Sequence, residues 1–472
     1  MNKEEASKIV MDEIEKISFI RTISEVALKN PEEVYIVGGF VRDKILNREK
    51  REIDFLVVGD GVKFAETLSE VLNVKKISVY KNFGTAHFQY NGYDLEFVGS
   101  RRESYSTKSR NPIVTGGTFE DDIHRRDFTV NTLAVSVNKH NFGELIDIFD
   151  GLSDIETGII KTPLDPLRTF EDDPLRIMRA FRFAAQLNFS LDESVLNASE
   201  IMRERLSIIA QERITDEFIK ILSSPRPSIG LVAMYKSKVL QIIFPEIFNL
   251  GGVDQRKDFH HKDVFYHTCK VVDNIAVVTE NVWLRFAALV HDIAKPQTKR
   301  FDEDAGWTFH GHEEFGARMM NGVFKKMKLP LHELEYIKKL VRLHLRPIAL
   351  AKEEVTDSAI RRFIVEADED LDDLIVLCRA DITSKNMEKV SEYLGNYDRV
   401  MQRVYDVKEK DKLRAFQSPV RGEIIMEVFG LKPSKTVGLI KAEIEDAILD
   451  GKIGNNYEEA YEYMLLIKDK FN

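Results

Sequence analysis

Cysteine is nearly absent from the chain. Cys269 and Cys378 are the only two in 472 residues, each in an apolar stretch and far from the other, which excludes a disulfide framework and a zinc ribbon built on thiolates. Also missing is any run of about 18 apolar residues, the length a membrane-spanning helix needs, so no membrane partner is expected. The amino-terminal stretch MNKEEASKIVMDEIEKISFIRTISEVALK lacks the uninterrupted apolar core of a signal peptide, and a cytoplasmic location is the expectation. Positive charge is not in excess either. Lys and Arg number 68 against 78 Asp and Glu, a net charge of −10, so a bound nucleic acid has to be gripped by local basic surfaces. What is present is an ordinary globular composition, 43% hydrophobic and 31% charged, which excludes a disordered or fibrous chain; the length implies several domains.

From about Glu33 to Asp150 short β-rich runs alternate with helical ones: VYIVGG, IDFLVVG, VKFAETLSEVL, AHFQY and YDLEFVG. That pattern predicts a mixed α/β domain. From Pro174 onward the periodicity is that of long amphipathic helices, among them PLRIMRAFRFAAQL, DVFYHTCKVVDNIA, WLRFAALVHDIAK, HELEYIKKLVRLH and DLDDLIVLCRADIT, and the remainder is expected to be all α. Proline and glycine near SSPRPSIG, IFPEIFNLGG and PSKTVG mark boundaries. The expected division is amino-terminal helices at 1–30, an α/β head at 31–160, a helical neck at 161–255, a histidine-rich helical domain at 256–385 and a helical tail at 386–472.

Chemistry-bearing residues concentrate in the head. Gly38-Gly39 directly follow a predicted strand and precede helix-compatible residues that include Arg42. A turn of this kind can bring backbone N–H groups against a phosphate, with an arginine as clamp, although a glycine pair after a strand is more often a plain turn. Glu52 and Asp54 open the next predicted strand, and their spacing of two puts both carboxylates on one face. Hard oxygen ligands so placed suit Mg²⁺, and Glu96, on a later predicted strand, can complete the cluster; the alternative is a solvated strand edge. Farther on, Asp173 is expected as a helix N-cap with Pro174 at the first helical position. Arg176, Arg179 and Arg182 then recur every three residues beside an apolar row of Leu175, Met178 and Phe181.

Taken in order, GGxVRD, ExD, RRDFTVN (Arg125 to Asn131), FDGLSDIETGIIKTP and EDDPLRIMRAFRFAAQL resemble the tRNA nucleotidyltransferase and bacterial poly(A) polymerase family, densely from Tyr35 to Phe189. The resemblance implies an α/β head with the mixed sheet of DNA polymerase beta-like nucleotidyltransferases, followed by an all-α neck and helical tail. It implies an RNA 3′-hydroxyl attacking the α-phosphate of CTP or ATP with release of pyrophosphate. On this reading Gly38, Gly39, Arg42, Arg126, Asp127 and Arg179 contact the nucleotide. Glu52 and Asp54 hold Mg²⁺ with Glu96 nearby. Asp173 and Arg176 match the protein template that hydrogen-bonds the edge of the incoming base, a donor and acceptor set able to complement cytosine or adenine. The chain departs from the family pattern at Glu52 (commonly Asp), at Asp172 (usually Glu) and at Leu152, where many members have glycine.

Five of the 11 histidines form a second group: His267, His291 next to Asp292, His310, His312 and His344, with Asp381 downstream. Imidazoles and carboxylates spread over several helices are what a divalent metal site in a bundle needs, whereas a lone histidine is usually an ordinary core or surface residue. The stretch from about His261 to Lys385 resembles an HD domain, a family of metal-dependent phosphohydrolases. That resemblance implies first-metal ligands at His267, His291, Asp292 and Asp381, with His312 and His344 serving a second metal or a phosphate. The clusters Arg48-Lys50-Arg51, Arg101-Arg102, Lys295-Lys299-Arg300 and Lys325-Lys326-Lys328 read as solvated faces more readily than as RNA contacts, because acidic residues surround most of them.

The expected function is addition or repair of the 3′-terminal CCA of tRNA. The partners are the tRNA 3′ end, CTP and ATP, with no stable protein partner; the cofactors are Mg²⁺ and a further divalent metal. The alternatives are a poly(A) polymerase or a CC- or A-only enzyme, and, of another class, an HD phosphohydrolase with a nucleotide-sensing head.

Overall fold

The computed structural model describes residues 3–30, 32–80, 84–106, 109–253, 263–304, 306–351, 355–384, 386–411 and 418–471. The chain divides into two compact units, Met1–Phe248 and Asn249–Asn472. No helix among the described residues is long and apolar enough to cross a membrane.

In the first unit, helices α1 (Lys3–Glu15) and α2 (Ile20–Lys29) precede β1 (Glu33–Val37), α3 (Gly39–Ile45), β2 (Glu52–Val58) and α4 (Gly61–Val71). Strands β3 (Ser78–Tyr80), β4 (Thr85–Tyr90), β5 (Tyr93–Gly99), β6 (Arg101–Ser106) and β7 (Ser109–Gly116) follow, then α5 (Phe119–His124), β8 (Ala134–Ser136) and β9 (Leu145–Ile146). Seven strands form one sheet in the order β3-β4-β5-β2-β1-β8-β9, while β6 and β7 pair separately. Only the β2–β5 pair of the large sheet is parallel, and its register sets Asp54 beside Glu96 and Phe55 beside Phe97.

Strand alternation then sorts the chemistry. One face carries Phe55, Phe88 and Phe97, whose rings lie 4.7–5.5 Å apart, and Phe64 of α4 packs on it at 5.9 Å from Phe97. The opposite face carries Glu52, Asp54 and Glu96, together with Tyr35, Val37 and Leu56, which α5 covers through Phe119 and Ile123. Because α5 lies on this face, the arginines that end it arrive beside the carboxylates. Thr118 caps α5 in a reciprocal box with Asp121.

The connection onward runs through α6 (Gly151–Thr157), β10 (Ile159–Ile160), α7 (Pro166–Asp172), α8 (Leu175–Leu187), β11 (Ser190–Leu191), α9 (Glu193–Met202) and α10 (Gln211–Leu222). A side chain at Gly151 would place its Cβ 2.5 Å from the carbonyl oxygen of Thr129, so glycine is required there. Leu152, where the family often has glycine, is buried. Asp147 accepts the N–H groups of Gly151 and Leu152 at 2.8 and 3.0 Å, and Asp154 accepts the Thr129 hydroxyl at 2.6 Å.

The second unit is built on helices Val264–Val278, Val282–Val290, His312–Met327, Leu334–Leu343 and Leu371–Ala380, with the tail helices Gly422–Phe429, Lys435–Leu449 and Tyr457–Leu466 around their own core of Ile425, Ile440, Ile444 and Met464. The expectation of an all-α remainder is corrected in two places: Ile159–Ile160 pair in parallel with Ser190–Leu191, and β12 (Arg300–Asp302) and β13 (Gly306–Thr308) make an antiparallel hairpin. These ladders are too short to register as alternation.

Candidate active site and metal centre

The turn after β1 is built by Gly38, whose φ of +73° is open to glycine at little cost; its N–H donates to Leu133 O at 2.9 Å. A Cβ at Gly38 would lie 3.0 Å from Arg126 Nη1, and one at Gly39 2.8 Å from Lys50 Nζ, so the turn sits between two cations. Asp54 is half-buried. Burial raises its carboxyl above the ordinary range, and the charges of Lys50 and Arg126 only partly offset that. Glu96 is raised by burial and by the neighbouring Asp54, while Glu52 is exposed, 3.4 Å from Lys50 Nζ. Asp54 and Glu96, which hold their protons too tightly, share a face with Glu52, and such a set of oxygen donors fits a hard divalent cation.

The segment after α5 is a chain of buried polar contacts. Asp122, fully buried, accepts both Arg125 Nη2 and Arg126 Nη2, the latter at 3.1 Å. Asp127 accepts Asn131 Nδ2 at 3.0 Å and Arg179 Nε at 2.7 Å. Burial opposes the charge on Asp127, yet Arg179, Asn131 and Arg176 outweigh it and hold the carboxyl at about 2. Asn131 Oδ1 in turn accepts Arg42 Nη1 at 2.5 Å, and Asp43 takes the rest of that guanidinium at 2.9 and 3.0 Å. Arg42 is thus buried and fully engaged, so the predicted clamp stands behind the turn, fastening it to the RRDFTVN segment.

A cleft of about 650 Å³ opens beside this network, lined by Arg125, Arg126, Asp127, Asp173, Leu175, Arg176 and Arg179 and, from α10, by Glu212, Arg213, Asp216 and Glu217. The helix bearing Arg176 begins at Leu175, one residue later than expected, and Asp173 is the C-cap of α7. Asp173 Oδ1 nevertheless accepts the Leu175 N–H at 3.1 Å, which is the capping interaction expected of it. Arg176 Nη2 donates to Arg125 O at 2.6 Å, tying α8 to the arginine pair. Arg182 departs from the arginine row: it is buried against Glu217 at 3.0 Å.

Asp122, Asn131 and Glu217 were not singled out from the sequence. Asp122 had a usable signal, since it precedes Arg125 and Arg126 by three and four residues at the end of a helix. Glu217 had none, because its partner lies 35 residues away.

In the second unit all six predicted ligands converge. His267, His291 and Asp381 form one group and Asp292, His312 and His344 another, with ligand atoms within 4.8 Å of one another in each. Among the described residues these are the only such groups of three or more; Glu52, Asp54 and Glu96 do not close into one. Asp292 serves both sides, Oδ2 lying 3.2 Å from His291 Nε2 and Oδ1 3.2 Å from His312 Nε2. His291, His312 and His344 each place Nδ1 2.7 Å from a backbone carbonyl, of Ala288, Phe309 and Val341. A carbonyl only accepts, so Nδ1 donates and Nε2 faces inward, the orientation a metal-binding imidazole needs once a cation takes the place of any proton on Nε2.

Asp381 Oδ1 lies 2.8 Å from His267 Nε2 and 3.4 Å from His291 Nε2, yet it and His291 Nε2 are buried without a hydrogen bond. Burial works against a charged imidazole, but Asp292 and Asp381 push His291 up to about 10. Groups that hold a proton so firmly between them are a fitting cradle for a divalent cation. Lys295 Nζ donates to Asp292 Oδ2 at 2.6 Å. His310 is exposed and outside the cluster.

Three family profiles match in tandem: the Poly A polymerase head domain over 34–161, the probable RNA and SrmB-binding site of polymerase A over 188–250, and the HD domain over 264–386. The A-adding tRNA nucleotidyltransferase of Deinococcus radiodurans is 31% identical over 72% of this chain and 77% of its own length. The CC-adding tRNA nucleotidyltransferase of Thermus thermophilus is 29% identical over 92% and 94%. The multifunctional CCA protein of Nitrosococcus oceani is 32% identical over 63% and 71%. In fold, the chain is similar to an apo CCA-adding enzyme, with a TM-score of 0.63 and 23% identity over 96% of this chain and 94% of that one. The motifs from Gly38 to Arg179, the three profiles in this order and the extent of these matches lead to one conclusion: the chain belongs to the tRNA nucleotidyltransferase and poly(A) polymerase family.

Proposed function

We propose that the chain adds or repairs the 3′-terminal CCA of tRNA from CTP and ATP, in the cytoplasm and without a stable protein partner. The observation that carries this reading is the single sheet face on which Glu52, Asp54 and Glu96 stand beside a cleft, lined by five arginines and five acids, that holds both template-matched residues. Glu52 and Asp54 would hold Mg²⁺, which supplies Lewis-acid stabilisation of the phosphate charge and a more acidic attacking hydroxyl. Lys50 and Arg126, on either side of the Gly38–Gly39 turn, neutralise the triphosphate. Asp173 offers acceptors and Arg176 donors to the base edge, and Asp127 fixes Arg179 on the cleft wall. The relatives include A-adding, CC-adding and multifunctional enzymes, so the extent of addition is the point to test.

The experiment is incubation with Mg²⁺ and tRNAs ending before, within and after CCA, with CTP, ATP or both, resolved to single nucleotides. Growth that stops at CCA supports the proposal. A long A tail reassigns the chain to poly(A) synthesis, and addition of C alone or A alone reassigns it to a partial activity.

A second reading is favoured by the closed six-residue cluster: phosphoester hydrolysis in the second unit. Alanine at Glu52 and Asp54 separates the two, since it abolishes addition and spares hydrolysis.

A further inference from the structure

Phe183, on α8, is 8% exposed and meets three guanidinium groups. The Cζ atoms of Arg42 and Arg179 each lie 5.3 Å from the ring centroid, that of Arg182 lies 4.5 Å away, and Phe128 approaches edge-on at 5.6 Å. Each guanidinium is within reach of the ring's negative face, and the Phe128 contact is a T-shaped aromatic pair. A guanidinium laid against an aromatic ring keeps its in-plane N–H groups free, and here each set reaches a different acid: Arg42 to Asp43, Arg179 to Asp127, Arg182 to Glu217. Three cations gathered around one ring repel one another, so the arrangement depends on the ring and the three acids together.

The partners come from separate parts of the unit. Arg42 belongs to the helix after the Gly38–Gly39 turn, Asp127 to the RRDFTVN segment, and Glu217 to α10; Arg179, Asp127 and Glu217 border the cleft. We infer that Phe183 is a positioning residue for nucleotide addition: through Arg42 and Arg179 it holds the phosphate-facing turn in register with the wall of the base-selecting cleft. This rests on the reading of that cleft as the nucleotide site.

The test uses the full chain with Phe183→Leu, Phe183→Met and Phe183→Tyr. Leu and Met keep apolar volume and remove the π face; Tyr keeps it. Melting temperature is measured for each, together with kcat and KM for CTP and ATP on a tRNA primer. The expected result is a fall of about tenfold in kcat/KM for Leu and Met, chiefly in kcat and out of proportion to any fall in melting temperature, with Tyr within about twofold of the parent.

Two results overturn the inference: Leu and Met at full activity, or all three variants losing activity in proportion to melting temperature, which would make Phe183 a filler of space. A parent chain that adds no nucleotide sinks the nucleotide-site reading itself, and this inference with it. In the double variant Phe183→Leu with Arg179→Lys, the losses should be less than additive if the ring acts through Arg179.

Discussion

The two units assemble ligand atoms in opposite ways. In the second, six side chains from several helices close to within 4.8 Å in each group, and backbone carbonyls already orient three of the imidazoles. In the first, three carboxylates stand on adjacent strands, Glu52 is exposed, and no group of three closes among the described residues. A closed set has settled the entropy of ordering its ligands during folding and suits a resident ion. An open set leaves positions for phosphate oxygens, which suits a cation that arrives with its nucleotide.

The sharpest way to break this contrast is to remove ligands from each side. Alanine at Glu52 or Asp54 should lower nucleotide addition by roughly a thousandfold or more, the scale of lost metal stabilisation, with unchanged metal content in the purified protein. Alanine at His291 or Asp292 should do the reverse, removing the metal found by elemental analysis and leaving addition within a few-fold. If both pairs change both readouts, the two centres are not independent.

Next in size is Asp122→Asn. It leaves Arg125 and Arg126 around a neutral amide, and since both arginines are partly solvated the loss of stability should be about 2 kcal/mol, with a rise in KM for nucleotide. Urea midpoints and steady-state kinetics check it.

A comparable effect concerns pH. Asp127 is held at about 2 against an ordinary 3.8, so its stabilisation is complete above the ordinary value and disappears as pH falls through about 2, some 2 kcal/mol in all. Hydrogen-exchange protection of α8 amides, compared between pH 5 and pH 2.5 after correction for intrinsic rates, should drop in the parent more than in Asp127→Asn.

Smallest is Asp54→Asn in the metal-free protein. The carboxyl is raised by burial, so its charge weakens the fold as pH rises past the unfolded-state value; the variant should melt slightly higher at pH 7 and equally at pH 3. A lower melting temperature at pH 7 would mean that Lys50 and Arg126 need that charge more than burial penalises it.

Much of this was legible in the sequence because apolar runs bounded by turns report strands directly: VYIVGG, IDFLVVG, AHFQY and YDLEFVG all became strands of the one sheet. The spacing of Glu52 and Asp54 gave their shared face by the same alternation. Their alignment with Glu96 was not legible, since a parallel partner is chosen by the crossover and not by local pattern.

The histidine cluster was approachable from the adjacent His291-Asp292 pair. Buried polar residues were the blind spot. Arg182 has the same periodicity as Arg176 and Arg179 and differs only because α10 lays Glu217 over it. Asp122 and Asn131 look like surface residues until their arginine partners are placed. The β12–β13 hairpin escaped notice because three-residue ladders leave no periodicity to read.

The order of strands in the head also bears on how the chain acquires its shape during synthesis. β1 and β2 lie side by side at the middle of the sheet and are close in sequence, so they can pair as soon as residue 58 is free, with little loop entropy to overcome. The other strands flank this pair: β5, β4 and β3 on one side, where β3 and β4 can join only once β5 has followed them in the chain, and β8 and β9 on the other. The strand carrying Glu52 and Asp54 is therefore part of the seed and not a late addition. A nascent chain stalled before residue 93 holds two of the three acids on an unprotected sheet edge, and that interval is when the head is most exposed to pairing with the wrong partner.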